Sequence, residues 1–257
     1  MKTTSPDLAI PRGHSALRSY VELTRFTFLR NKGELPFYLI LQMLVSGSVI
    51  FGLAIMADTS QAEWTRHLAA GSWALSLMMI GCLVVPTKMA SSLLDGFQEF
   101  QRTLPIPRPV LLLADATVWS LACLPGFLVS IGLAVLHLGV RPTVDGRTLI
   151  LVLAALLAYL MIGYSVALWI PPAMAGLVQQ VIILGAMLFS PITYPADRIP
   201  DWAVVVHSIL PFTPAANLVR EGFFPTGAGP AWTDLVSVVA WGALFFVLAL
   251  KGVARRG

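Results

Sequence analysis

Residues 148–196 read TLILVLAALLAYLMIGYSVALWIPPAMAGLVQQVIILGAMLFSPITYPA, a run without a single charged side chain. At 1.5 Å per residue, about 20 apolar residues already cross the ~30 Å hydrocarbon core of a bilayer, so this run is long enough to cross twice. Pro171-Pro172 divides it, because a proline inside a helix removes an N–H and clashes with the preceding turn. Two membrane helices, at about residues 149–170 and 173–190, joined by a very short turn, are therefore expected. Outward from there, charge-free stretches recur at about residues 36–56 and 68–87. Another runs from Ala116 and is preceded by apolar Val110, which gives a helix over about 110–138 that starts near the membrane surface, with Asp115 close to that surface. The last covers about 233–253, where Lys251 is placed to snorkel its ammonium to the interface. The expectation is an all-α integral membrane protein with six transmembrane helices in a single transmembrane domain over residues 1–257.

Composition points the same way. Of 257 residues 57% are hydrophobic and only 12% charged, with mean hydropathy +0.79, whereas soluble domains carry about 25% charge. So few charges cannot cover a water-soluble surface. The net charge of +4 is best read by position. Twelve Lys and Arg fall on the N-terminal side of the six spans and five on the other, and the positive-inside bias then predicts that both termini are cytoplasmic, in the cell's inner or plasma membrane. The basic residues form no patch with interleaved aromatics, so no nucleic-acid partner is expected. Cys82 and Cys123 lie inside apolar segments and do not read as a disulfide framework. The first apolar run starts at Pro36, too late and too long for a secretory signal, so the N-terminus is expected to be retained.

Three segments outside the spans carry patterns. In the N-terminal segment 1–35, Leu17, Tyr20, Val21, Thr24 and Phe28 fall at helical spacing, with Arg18, Glu22 and Arg25 on another face. That is the pattern of an amphipathic helix in the interface plane, contacting membrane lipids or a partner, or of plain topogenic charge. Between the second and third spans, Asp95-Gly96-Phe97-Gln98-Glu99-Phe100-Gln101-Arg102 precedes a proline-rich close. Phe97 and Phe100 share an apolar edge and Glu99 and Arg102 a charged one, so either a short docking helix or an ordinary connection fits. Between the fifth and sixth spans lie Ser190-Pro191-Ile192-Thr193-Tyr194-Pro195, then Pro200-Asp201-Trp202, then Leu210-Pro211-Phe212-Thr213-Pro214 leading to Asn217 and Arg220. Residues 202–210 are too short to span yet apolar enough to re-enter the outer leaflet or lie on it.

The order of six spans and these loops resembles the permeases of type-2 ABC exporters over nearly the whole chain. Most specific are the Ser-Pro-Ile-x-Tyr-Pro stretch with Pro191, Tyr194 and Pro195, the Pro-x-Trp with Trp202, and the Leu-Pro-Phe-x-Pro with Pro211, followed by Asn217 and Arg220. The resemblance implies an N-terminal interface helix, a short coupling helix bearing Phe97, Glu99, Phe100 and Arg102, and two re-entrant outer helices between spans 5 and 6. One departure is Pro211-Phe212, where family members often carry Asn-Pro. The resemblance further implies a second permease chain, identical or a sister, and two ABC ATPase chains. No Gly-x-x-x-x-Gly-Lys-Ser/Thr phosphate cradle occurs in the sequence, so ATP and Mg are expected on the ATPase and no cofactor in this chain. Relatives export small hydrophobic molecules such as drugs and antibiotics, or lipid-linked polysaccharide or teichoic acid; compact loops and a thin polar interior favour the former.

Polar residues within spans are where a substrate path is sought, since hydrocarbon penalises them. Gln42, Gln179 and Gln180 qualify, either for a path or for interhelical hydrogen bonds. Asp115, two turns after Arg108, is expected in a local salt bridge. Trp64, Trp73, Trp169, Trp202 and Trp232 fit interfacial belts, and Met78, Met79 and Met187 fit adaptable packing. No catalytic or metal site is expected: His-Glu-x-x-His and Gly-x-Ser-x-Gly are absent from the sequence. No ring of charges or repeated pore loop suggests a channel.

Overall fold

The computed structural model describes residues 16–56, 62–103, 106–193 and 200–255, and among these every regular element is helical. Helix α1 (Ala16–Asn31) leads through a tight turn into α2 (Leu35–Met56). Pro36 sits in the first turn of α2, where its missing N–H costs nothing. Next, α3 (Ala62–Met79), a π-helical turn (Ile80–Val84) and α4 (Val85–Leu94) form one rod of 33 residues. It exceeds its charge-free core because Glu63, Arg66 and Lys88 sit towards its two ends, where charged groups reach water. Asp95 and Gly96, at a φ of 70° that only glycine adopts easily, break the rod. The short α5 (Phe97–Thr103) follows.

Helix α6 (Arg108–Leu138) ends at a left-handed Gly139, and α7 (Gly146–Trp169) opens on a capping box in which Asp145 accepts from the Thr148 N–H at 2.7 Å. Ile170 and Pro171 are extended, and α8 (Pro172–Phe189) starts immediately after them, the break that paired prolines dictate. The connection to the last span contains α9 (Asp201–Ile209) and α10 (Phe212–Phe223), and α11 (Trp232–Arg255) closes the chain. Pro211 forces Leu210 into an extended conformation, so α9 stops at Ile209.

Among the described residues six helices are long and apolar enough to cross a membrane. The α3–α4 rod is the axis of the bundle: 94% of its apolar window is buried, against 17% for α8 and for α11. Helix α11 packs on α7, α2 on α6, and α1 along the first half of α6. Trp73 lies wholly inside, its ring stacked 5.6 Å from Phe224 and edge-on to Phe223 at 4.6 Å, so it is a core residue and not part of an interfacial belt.

Candidate functional site

Two polar assemblies occupy opposite ends of the bundle. At the α1 end, the turn between α1 and α2 is fastened to α4 and α5. The Lys88 ammonium reaches both oxygens of Glu34 at 2.6 Å, and these hydrogen bonds hold the Glu34 carboxyl below its usual range. Arg30 lies 4.0 Å from Asp95 and stacks its guanidinium 3.5 Å over the centre of the Phe97 ring, while Phe26 stacks on the same ring at 5.9 Å. Gln98 is buried against the Met89 sulfur. The start of α5 is thereby keyed to α1, and Glu99 remains exposed. Phe97 therefore spends its ring on α1 and is not free to dock elsewhere. The side chains of Phe100 and Arg102 lie outside the described residues, although their backbone belongs to α5.

Between α1, α4, α5 and α6 lies a cavity of about 50 Å³ lined by Arg30, Asn31, Lys88, Gln98 and Asp115. Asp115 does not bridge to Arg108: seven residues of helix separate them by about 10 Å. Its partner is the Tyr164 hydroxyl of α7 at 2.5 Å, a pairing 49 positions apart that no local pattern announces.

On α1, one side packs on the bundle and the other stays open. Leu23, Thr27 and Asn31 face the protein, and the Tyr20 hydroxyl meets that of Thr117 at 2.7 Å. Leu17, Val21 and Phe28 stay exposed. Arg18 and Glu22 pair at 2.8 Å on the open side, and Arg25 is exposed too.

At the other end, α10 is plugged into the bundle. The Arg220 guanidinium donates to Asn217 Oδ1 at 2.6 Å, to the Ile192 carbonyl at 3.2 Å and to His67 Nε2 at 3.0 Å. Because arginine can only donate, His67 accepts here and carries its proton on Nδ1. Asn217 passes the interaction on to Asp234 at 3.0 Å. Burial pulls the Arg220 guanidinium down to about 10, which leaves it charged at neutral pH. Next to it, Glu221 accepts from Arg147 at 2.6 Å and from Thr226. The segment around Pro191 and Pro211 is buried beneath α10, with the Ser190 and Thr213 hydroxyls 2.6 Å apart. Tyr194 and Pro195 lie outside the described residues. By contrast α9 presents Trp202, Val205, Val206 and Ile209 outward, held at its end by the Trp241 indole donating to the Ile209 carbonyl at 2.7 Å. His67, Arg147, Glu221 and Asp234 were not singled out by the sequence; their only signal was charge or polarity at the border of an apolar run.

Of the intramembrane amides, Gln42 donates from Nε2 to Ser76 Oγ at 2.7 Å and to Cys123 Sγ at 3.2 Å, while its buried Oε1 has no hydrogen-bond partner among the described residues. Gln179 is buried beside the Thr87 hydroxyl at 3.1 Å. Gln180 alone of the three is exposed, on α8 beside Leu177 and Val181.

A family model described as ABC-2 family transporter protein matches residues 36–251. The chain belongs to this family. No curated protein matches it significantly. This ABC-2 chain is thus a multi-pass membrane permease, a transport subunit. The match takes in α2 through most of α11 and leaves α1, with its hold on Phe97, outside.

Proposed function

We propose that this permease is the membrane half of an ATP-driven exporter, two permease chains acting with two ABC ATPase chains that bind ATP and Mg. The α1 end faces the cytoplasm, and the cargo is a small hydrophobic molecule such as a drug or antibiotic. The observation that carries the reading is α5: a helix of seven residues at the tip of the most deeply buried span, its exposed edge bearing Glu99. A push there is delivered to the axis of the bundle. Glu99 is the exposed group offered to the ATPase, on a helix whose sequence also carries Phe100 and Arg102, while Phe97 transmits to α1, the interface helix carrying Arg18, Glu22 and Arg25.

A second permease chain would cover part of the apolar surface left open on α2, α6, α8 and α11, of whose windows only 28%, 28%, 17% and 17% are buried. Gln180, a lone amide on an otherwise apolar exposed face, is costly against lipid and favourable against a cargo path or partner. Gln42 and Gln179 are both buried within helix contacts, so the exposed faces are mostly apolar, which favours a hydrophobic cargo over a glycan. The plugged α10 and the outward α9 fit re-entrant helices of the outer leaflet, with Pro191, Trp202, Pro211, Asn217 and Arg220 shaping them.

Copurification of an ATPase chain, followed by ATP hydrolysis in liposomes titrated with a hydrophobic cationic dye, tests this. Dye-stimulated hydrolysis that is lost on charge reversal of Glu99 is expected. Absence of any bound ATPase sinks the reading.

A further inference from the structure

The axis rod is interrupted once. At Ile80–Val84 the Val85 N–H donates to the carbonyl of Ile80, five residues back, so the turn is π-helical. Pro86 follows at the start of α4, with no N–H to donate and a ring that would clash with the carbonyl four residues back in a regular helix. The wider turn relieves that clash. On the same turn, Gly81 lies directly against α7. A Cβ on Gly81 would come 2.5 Å from the Tyr159 carbonyl carbon, and one on Gly163 would overlap the Gly81 carbonyl oxygen. The two central helices therefore touch backbone to backbone here, with no side chain from either glycine to interlock.

The parts on either side are held differently. Above the turn, α3 is locked by Trp73, clasped between Phe223 and Phe224 and donating to the Ser130 carbonyl at 3.2 Å. Below it, α4 carries Lys88, tied to Glu34, and ends in α5. Thr87, one residue beyond Pro86, meets Gln179 of α8.

Resting on the permease reading above, we infer that the π-helical turn seated on the Gly81–Gly163 contact is the pivot of this transporter. Helices α4 and α5 rock about it while α3 stays fixed, and Thr87 carries the motion through Gln179 into α8 and its exposed Gln180. Gly81 and Gly163 are positioning residues, and an interruption of the hydrogen-bond ladder is where a long helix bends most easily. The arm from Val84 to Leu94 is about 15 Å, so a rotation of about 15° moves its tip by about 4 Å.

The test is pulsed electron resonance on the permease–ATPase complex in nanodiscs. One spin-label pair, Leu94→Cys with Lys251→Cys, spans the α1 end; both positions are exposed, and α11 is a fixed reference through its packing on α7. The second pair, Arg66→Cys with Leu136→Cys, reports the far end. Between the nucleotide-free and vanadate-trapped states the first distance is expected to shift by about 4 Å and the second to stay constant. Deleting Leu83 together with Pro86→Ala restores a continuous α-helix, and in that variant the first shift vanishes while the ATPase still binds. Equal shifts in both pairs mean that the whole rod tilts rigidly and overturn the pivot. Two unmoving pairs in a complex that hydrolyses ATP overturn it as well. If the straightened variant does not assemble, the two distances in the native complex decide alone. Failure of any ATPase to copurify shows earlier and sinks the permease reading, and the pivot with it.

Discussion

Arg220→Met keeps the apolar length of the side chain but withdraws the donors that Asn217 Oδ1, His67 Nε2 and the Ile192 carbonyl share. It also leaves Asp234, reached through Asn217, without its nearest positive charge. A buried acceptor that loses its donor costs about 1–3 kcal/mol. Three are affected, but the site is only half-buried and water can reach part of it. The unpartnered Arg220 Nε is also removed, so the net cost is about 2–4 kcal/mol. For a chain of this length each kcal/mol lowers the melting temperature by about 2–4 °C, which gives a drop of about 4–16 °C. The assay is scanning fluorimetry of the purified permease in one detergent at one scan rate, since unfolding of such proteins is often irreversible. Arg220→Lys restores charge but not the three-way fork and is expected to fall between the two. An Arg220→Met variant melting within about 2 °C of the parent would show that the network is decorative and that α10 is held by its apolar contacts alone.

Other perturbations separate local effects from transport. Gly126→Ala drives a Cβ into the Gln42 amide and is expected to cost about 1–3 kcal/mol; Gln42→Ala in the same chain should recover part of it, and a strictly additive double mutant would refute the contact. Glu34 is a depressed carboxylate, so its stabilisation is fully present above its ordinary value of 4.5 and disappears as pH falls through its lower folded value. Glu34→Gln should therefore flatten the acid limb of a melting-temperature profile below about pH 4.5, and an unchanged limb counts against the Lys88 tie. Phe97→Ala removes the platform for Arg30 and Phe26, and ATPase binding should survive while dye stimulation falls; intact stimulation would show that α1 takes no part in coupling.

The path of the chain through the membrane was legible because it is written in short-range terms. Charge-free length specifies a span, and Pro171-Pro172 specifies where a helix cannot continue. Each of these depends only on neighbouring residues, so each survives without knowledge of the fold. The family likeness rested on the same local motifs.

What the tertiary structure alone decided is which helices are central and who pairs with whom. All six spans look alike in composition, because apolar side chains that meet lipid and apolar side chains that meet protein satisfy the same constraint. Only packing made the α3–α4 rod the axis and turned Trp73 inward. Asp115 chose Tyr164 over Arg108, and Arg220 found His67, 153 positions away, because a buried polar group takes whatever partner the fold brings within 3 Å. On α1, Tyr20 and Thr27 turned towards α6, which offered Thr117 and a polar cavity, while Leu17, Val21 and Phe28 stayed exposed. Sequence set the number and ends of the helices through backbone chemistry; their contacts belong to three-dimensional geometry, which no window of sequence contains.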